Sequence, residues 1–355
     1  MLKNRVAAAR ELLPRFDIDA ILVSDMKDIR YLAGFTGSEG LLLLSGAEVS
    51  LLVDSRYTVQ AQAETSGCTV VEFREKKAAL EALVAEQSVT SLAVQAEHVS
   101  VAFYNELTKL LTSVRFVPLG ADLALLRQVK DSYELESLAK VAEIASSALL
   151  DIIRTIHPGD TEKDIALRLE FAMRTAGADD TSFDIIVASG VRGALPHGKA
   201  SGKPIKQGEL ITIDFGALLD GYNSDETVTV AFGKPDEKQR HIYQVVKDAH
   251  DRAIEAVKPG MRCKDIDLVA REYIQQNGYG AYFGHGLGHG VGLDVHEKPV
   301  VSFRSEDIVV EGMVFTIEPG IYIPGWGGVR IEDLLVVTSN GCRLLSRVPK
   351  DLMVL

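Results

Sequence analysis

At 355 residues the chain is long enough for two domains, each with its own core. With 46% hydrophobic and 25% charged residues, its composition is that of an ordinary soluble globular protein. A net charge of −12 with no long basic run argues against a nucleic-acid partner, and no apolar stretch is long enough to span a membrane. The three cysteines, Cys68, Cys263 and Cys342, are odd in number and scattered, which suits a reducing cytoplasm rather than a disulfide framework.

The opening segment MLKNRVAAARELLPRF reads as an amphipathic helix rather than a signal peptide. Apolar strands in AILVS, LLLLS and SLAVQ alternate with helices over residues 1–121, which predicts a small N-terminal α/β domain. Pro118-Leu119-Gly120 marks a linker. Residues 122–355 form the second domain, entered through a helical stretch over roughly 122–156.

That second domain is built from a repeat. GELITIDFG (208–216) and GMVFTIEPG (312–320) each place an acid, Asp214 or Glu318, in the middle of an apolar strand, 104 positions apart. HPGDTEKDIALRLEFAMRTAG (157–177) and KPGMRCKDIDLVAREYIQQNG (258–278) align without a gap at an offset of 101, each a Pro-Gly turn, an amphipathic helix and a terminal Gly. A second acid opens a further strand in each half: Asp225 in GYNSDETVTVAFG and Glu332 in GGVRIEDLLVV, offset by 107. A single strand acid is ordinarily an edge or capping residue. Four in register across a duplication predict carboxylates facing a pseudo-twofold axis. No Lys or Arg lies within three residues of Asp214 or Glu318, so the compensating charge must come from elsewhere in the fold or from a metal ion.

HGLGHGVGLDVHE (285–297) has no counterpart in the first half and holds three of the chain's eight histidines. His285 and His289 have the spacing of a helical zinc pair, but no Glu follows His285 and glycine at every second position makes a helix improbable. In an extended segment the two imidazoles share one face. Neither of the phosphate-loop patterns can be drawn through it. A lone His is ordinarily structural; three beside four acids point to function. Four carboxylates and one neutral imidazole carry a charge that two divalent cations neutralise. An oxygen-rich, Cys-free shell with one nitrogen suits Mn(II) best, with Co(II), Fe(II) or Zn(II) as alternatives. The residues alone therefore predict a dinuclear metallohydrolase.

Asp214, Asp225, His289, Glu318 in TIEPG and Glu332 in RIED resemble the five-ligand signature of the pita-bread metallopeptidases, which include methionine aminopeptidase, Xaa-Pro aminopeptidase and prolidase. YLAGFTGSEG (31–40) and LVDSRYTVQA (52–61) resemble the extra N-terminal domain of the proline-specific members. The resemblance implies a C-terminal domain of duplicated helix–strand halves around a curved, mainly antiparallel sheet. It also implies a homodimer acting on proline-containing peptides. By the same resemblance Asp214 chelates one metal, Asp225 and Glu332 bridge both, and His289 and Glu318 complete the other, with Glu318 also moving a proton. His296 meets the scissile carbonyl, His285 and His197 line the cleft, and Arg330 steadies the ligand carboxylates.

Two positions depart from the pattern. Thr227 is followed by Val228 where the family often has Arg, and Val300 stands where some prolidases carry an Arg that clamps a dipeptide's carboxylate; Arg304 or Lys298 would have to substitute. The leading expectation is therefore an Xaa-Pro aminopeptidase, with Xaa-Pro dipeptidase as the alternative. A creatinase-like amidinohydrolase or a ligand-free binding module fits less well, because all five metal positions are filled.

Overall fold

A computed structural model describes residues 2–355. Contacts divide the chain into two compact units, one ending at Arg127 and the other opening at Gln128. The first is a six-stranded mixed sheet in the order Thr69–Phe73, Val49–Asp54, Leu41–Ser45, Ala20–Val23, Ser91–Gln95, Arg115–Leu119. Its central strands are covered on both faces and accordingly read as unbroken apolar runs. Pro118, read above as part of a linker, lies within the outermost strand opposite Val94. An edge strand accommodates it because the missing N–H is not needed by a further neighbour. The opening amphipathic segment forms two helices, Leu2–Arg10 and Leu12–Phe16, rather than one.

The second unit holds the duplication. The first half lays helices Ser132–Ile153 and Glu162–Thr175 against an antiparallel sheet ordered Glu226–Phe232, Glu209–Phe215, Ile186–Ser189. The second lays Glu237–Ala256 and Cys263–Gln276 against a sheet ordered Glu297–Val301, Gly288–Gly290, Val314–Ile317, Asp333–Thr338, Gly341–Leu344. Each half has its own apolar core. The glycines that open the two acid-bearing segments, Gly208 and Gly312, share a left-handed backbone at φ +85° and +86°, so the repeat extends to turn geometry. The two sheets meet where Thr227 bridges Glu332.

Strand alternation decides what faces the seam. Ile211, Ile213 and Phe215 enter the first core, which turns Asp214 the other way. Phe315 and Ile317 do the same for Glu318 in the second. The helical stretch expected over 122–156 is broken: a short 3-10 turn, Ala124–Arg127, precedes a helix that starts only at Ser132. The intervening backbone is drawn into a bridge from Val129 to Met313 and a hydrogen bond from Lys130 N to Gly312 O. Asp131 then caps the helix in a reciprocal box with Glu134. No helix among the described residues is long and apolar enough to cross a membrane, and the three cysteines are unpaired.

The first unit buries one acid with a measurable consequence. Asp28 Oδ2 accepts from Gln95 Nε2 at 2.6 Å and Oδ1 lies 3.4 Å from Arg127 Nη1. Burial pushes its carboxyl up to about 6, against the pull of Arg127. A raised carboxyl stabilises the folded state in its neutral form, fully below the unfolded value of 3.8 and progressively less as pH climbs through about 6. Unfolding free energy should therefore fall by up to about 3 kcal/mol over that window, at 1.36 kcal/mol per pKa unit. Urea unfolding of the full chain, with a probe in the first unit, should show this slope diminished in Asp28→Asn.

Candidate metal centre

The four acids converge. Asp225 and Glu332 are 5% and 2% exposed, and their ligand oxygens lie, together with a ring nitrogen of His289, within 4.8 Å of one another. His289 Nε2 is 3.3 Å from Glu318 Oε1 and 3.6 Å from Asp225 Oδ2. Its Nδ1 sits 3.1 Å from Gly290 O, a contact that places the ring proton there and leaves the Nε2 lone pair facing the acids. The backbone N–H of His289 donates to Thr316 Oγ1 at 3.1 Å, and Thr316 Oγ1 donates to Glu318 Oε1 at 3.3 Å. Gly288 is required for this approach: a Cβ there would meet Thr316 O at 1.9 Å. A Cβ at Gly290 would likewise meet Lys298 O at 2.2 Å, whereas Gly284 faces open space, so the steric cause holds for part of the series.

The compensation missing from the local sequence comes in part from Arg330, 4% exposed. Its Nη2 donates to Asp214 Oδ2 at 2.6 Å, its Nε to Thr227 Oγ1 at 3.2 Å, and its Nη1 to Tyr322 Oη and Pro196 O at 3.0 and 3.1 Å. Thr227 Oγ1 passes its own proton to Glu332 Oε2 at 2.6 Å. Tyr322 was not singled out from sequence. Its hydroxyl lies 3.0 Å from His285 Nε2, while His285 Nδ1 lies 2.7 Å from Gly286 O, so Arg330, Tyr322 and His285 form one chain of donors. Burial pushes the Tyr322 phenol up to about 12 and keeps it protonated. The only sequence signal was its position four residues after Glu318. Val228 enters the first core, so an Arg is absent from a position that faces away from the acids.

One guanidinium does not balance four carboxylates. Burial, then the charges of Glu332, Asp214 and Glu318, raises Asp225 well above its ordinary value. Burial followed by Glu318 and Asp214 does the same to Glu332, and burial raises Glu318. Asp214 Oδ1 is buried with no hydrogen-bond partner. A buried oxygen without a donor, acids whose carboxyls burial and repulsion raise, and a free imidazole lone pair are what divalent cations would satisfy, so the donor set fits the metal ions expected from sequence.

The carboxylates form the floor of a cavity of about 870 Å³. His197, His285 and His296 all line it, as do Tyr282 and Val300. The His296 ring lies 4.2 Å from that of His289 at an interplanar angle of 53°, and burial lowers the imidazole pKa of both. His197 and His296 are exposed toward the cavity rather than bonded to the acids. Arg304 lies over Phe303 at 5.0 Å and is not among the cavity residues; Lys298 pairs with Asp307 at 3.2 Å.

Fold and site together define a metal-dependent peptidase. The chain belongs to metallopeptidase family M24, whose profile matches residues 136–339, while that of the creatinase/prolidase N-terminal domain matches residues 5–129. The solved structure of a Xaa-Pro dipeptidase from Bacillus anthracis is 39% identical, covers all of both chains and gives a TM-score of 0.98. A Xaa-Pro dipeptidase from Pyrococcus horikoshii is 39% identical over 99% of each chain. The structure of an X-Pro aminopeptidase from Thermotoga maritima, also 39% identical, covers 96% of this chain and 99% of its own with a TM-score of 0.91. The pita-bread architecture expected from sequence is therefore present.

Burial and mutual repulsion raise these carboxyls in the metal-free protein, so cations compete with protons for them. Divalent-metal affinity should fall as pH is lowered, and calorimetry in two buffers of different ionisation enthalpy should detect net proton release. Binding that is independent of pH and buffer would show the acids already ionised.

Proposed function

We propose that this chain is a dinuclear metallopeptidase acting as a Xaa-Pro dipeptidase. The observation that carries the reading is the convergence of Asp214, Asp225, His289, Glu318 and Glu332 on a fold that matches a Xaa-Pro dipeptidase along its whole length. In this reading Asp214 would hold one ion, His289 and Glu318 the other, and Asp225 and Glu332 would serve both. Mn(II) suits the oxygen-rich donor set best. When bound, the ions supply Lewis acidity that activates water and stabilises charge developing on the peptide carbonyl.

The protein's own groups do the rest. Glu318, ionised once cations replace its proton, accepts the proton of the attacking water and passes it to the leaving proline nitrogen. His296, neutral and exposed at the cavity wall, donates to the carbonyl oxygen as it gains charge. Arg330 fixes Asp214, and through Tyr322 it orients His285 toward the cleft. Asp225→Asn and Glu332→Gln should each lose metal and activity together. His296→Ala should keep both ions, by elemental analysis, and lose roughly 10²-fold in kcat. His289→Ala should instead lose metal, and equal loss of metal in His296→Ala would remove the distinction between ligand and catalytic histidine.

A dipeptidase needs a cation for the substrate's terminal carboxylate. Lys199 is the one lysine among the cavity residues, and its partner Asp184 also lines the cavity. Both side chains are largely solvated, so their pairing is weak and a substrate carboxylate can displace it. The second reading, an Xaa-Pro aminopeptidase, is favoured by Val300, an apolar residue 41% exposed where a carboxylate clamp could otherwise stand. The likeness to the Thermotoga enzyme supports it too. A substrate panel separates the two. The dipeptidase reading expects kcat/KM for Xaa-Pro to exceed that for Xaa-Pro-Yaa, and Lys199→Ala to raise KM for dipeptides while sparing kcat. Equal or better cleavage of tripeptides, unchanged by Lys199→Ala, would favour the aminopeptidase.

A further inference from the structure

Neighbouring residues on a strand face opposite ways. Asp225 and Glu332 face the cavity, so the next residues, Glu226 and Asp333, face the far side. Each is only 2% exposed. Two buried carboxylates thus stand behind the two acids proposed to be shared between the ions. One ammonium meets both: Lys350 Nζ bonds Glu226 Oε1 and lies 3.2 Å from Asp333 Oδ1, with its side chain 7% exposed. Other groups hold the remaining oxygens. Glu226 accepts from Ser146 Oγ at 2.5 Å and Val348 N at 3.1 Å, and Asp333 Oδ2 makes an ionic contact with His250 Nε2 at 3.2 Å. Burial works against the ammonium, but Glu226 and Asp333 outweigh it and keep Lys350 charged.

The two strands belong to different sheets, one from each half of the duplication. On the cavity side their seam is tied by the Glu332 N–H to Thr227 O, 3.1 Å, and by Arg330 with Thr229. On the far side Lys350 is the side chain that touches both strands' first residues. Its own backbone is anchored: Tyr243 Oη donates to Lys350 O at 3.0 Å, and beyond it Ala231 N donates to Met353 O at 2.9 Å.

We propose that Lys350 is a positioning residue of the metal centre, fixing from outside the cavity the separation of Asp225 and Glu332. The inference rests on the reading of those two acids as shared ligands. Without the ammonium, no side chain ties Glu226 to Asp333, and the seam that sets the spacing of the ligands in front of them loses its far-side clamp. A buried ion pair of this kind contributes geometry more than stability.

The test is metal titration, kinetics and amide exchange on the full-length protein. Lys350→Met should bind the second equivalent of Mn(II) about 10- to 100-fold more weakly, the range seen when outer partners of metal ligands are removed. In its metal-free form, exchange should quicken over residues 226–232 and 333–338. At saturating metal kcat should fall while KM stays close to wild type, and Lys350→Arg should restore much of both binding and rate. If Lys350→Met does not fold, adding Glu226→Gln and Asp333→Asn removes the buried charges; that triple variant should fold yet still hold the second ion weakly. Wild-type affinity and kcat in either the methionine or the triple variant would overturn the proposal. That failure is separable from failure of the site reading, which would show as two ions retained in Asp225→Asn.

Discussion

Four carboxylates held together away from water are the constraint on which this structure turns. At 4 Å and an effective dielectric of about 20, each like-charged pair costs about 4 kcal/mol. Several such pairs would rival the 5–15 kcal/mol by which a whole domain is ordinarily stable. Arg330 offsets one charge through Asp214. The rest must be met by protons or by cations: burial raises the carboxyls of Asp225, Glu318 and Glu332, which favours their protonated forms when no cation is bound. Two divalent ions with Arg330 would leave the site one positive charge, which suits an anionic nucleophile or a substrate carboxylate.

Much of the surrounding architecture serves to hold that charge cluster in place. Strand alternation buries Ile213, Phe215, Phe315 and Ile317 and so turns the acids to the seam. Gly288 lets one backbone approach Thr316, whose hydroxyl then meets both His289 and Glu318. Thr227 and Arg330 stitch the two sheets at the level of the ligands. The bonds of Thr227 to Glu332 and of Arg330 to Thr227 and Asp214 each join segments more than a hundred residues apart, so the site exists only once both halves have folded.

The duplication and the acids were legible in the chain because they recur as a periodic pattern: an apolar strand and a carboxylate in the same frame twice. The glycine–histidine segment was legible for a similar reason, since its alternation excludes a helix. Pro118 misled because proline marks linkers and edge strands alike, and only the sheet order distinguishes them. The break before Ser132 was invisible because it is imposed by Gly312, far away in sequence. Tyr322 and Lys350 carry no periodic signal of their own; a lysine near a chain end ordinarily faces solvent, and only tertiary contacts reveal what these two side chains hold. The relatives' names favour a dipeptidase, whereas Val300 led the sequence reading toward an aminopeptidase, because one missing arginine does not reveal what other cation a cleft can offer.

Anomalous X-ray scattering at the manganese edge, from crystals of the protein loaded with Mn(II), tests the dinuclear centre most directly. Two peaks are predicted, both in contact with Asp225 and Glu332, one flanked by Asp214 and the other by His289 and Glu318. A single peak, or ions held by other side chains, would contradict it.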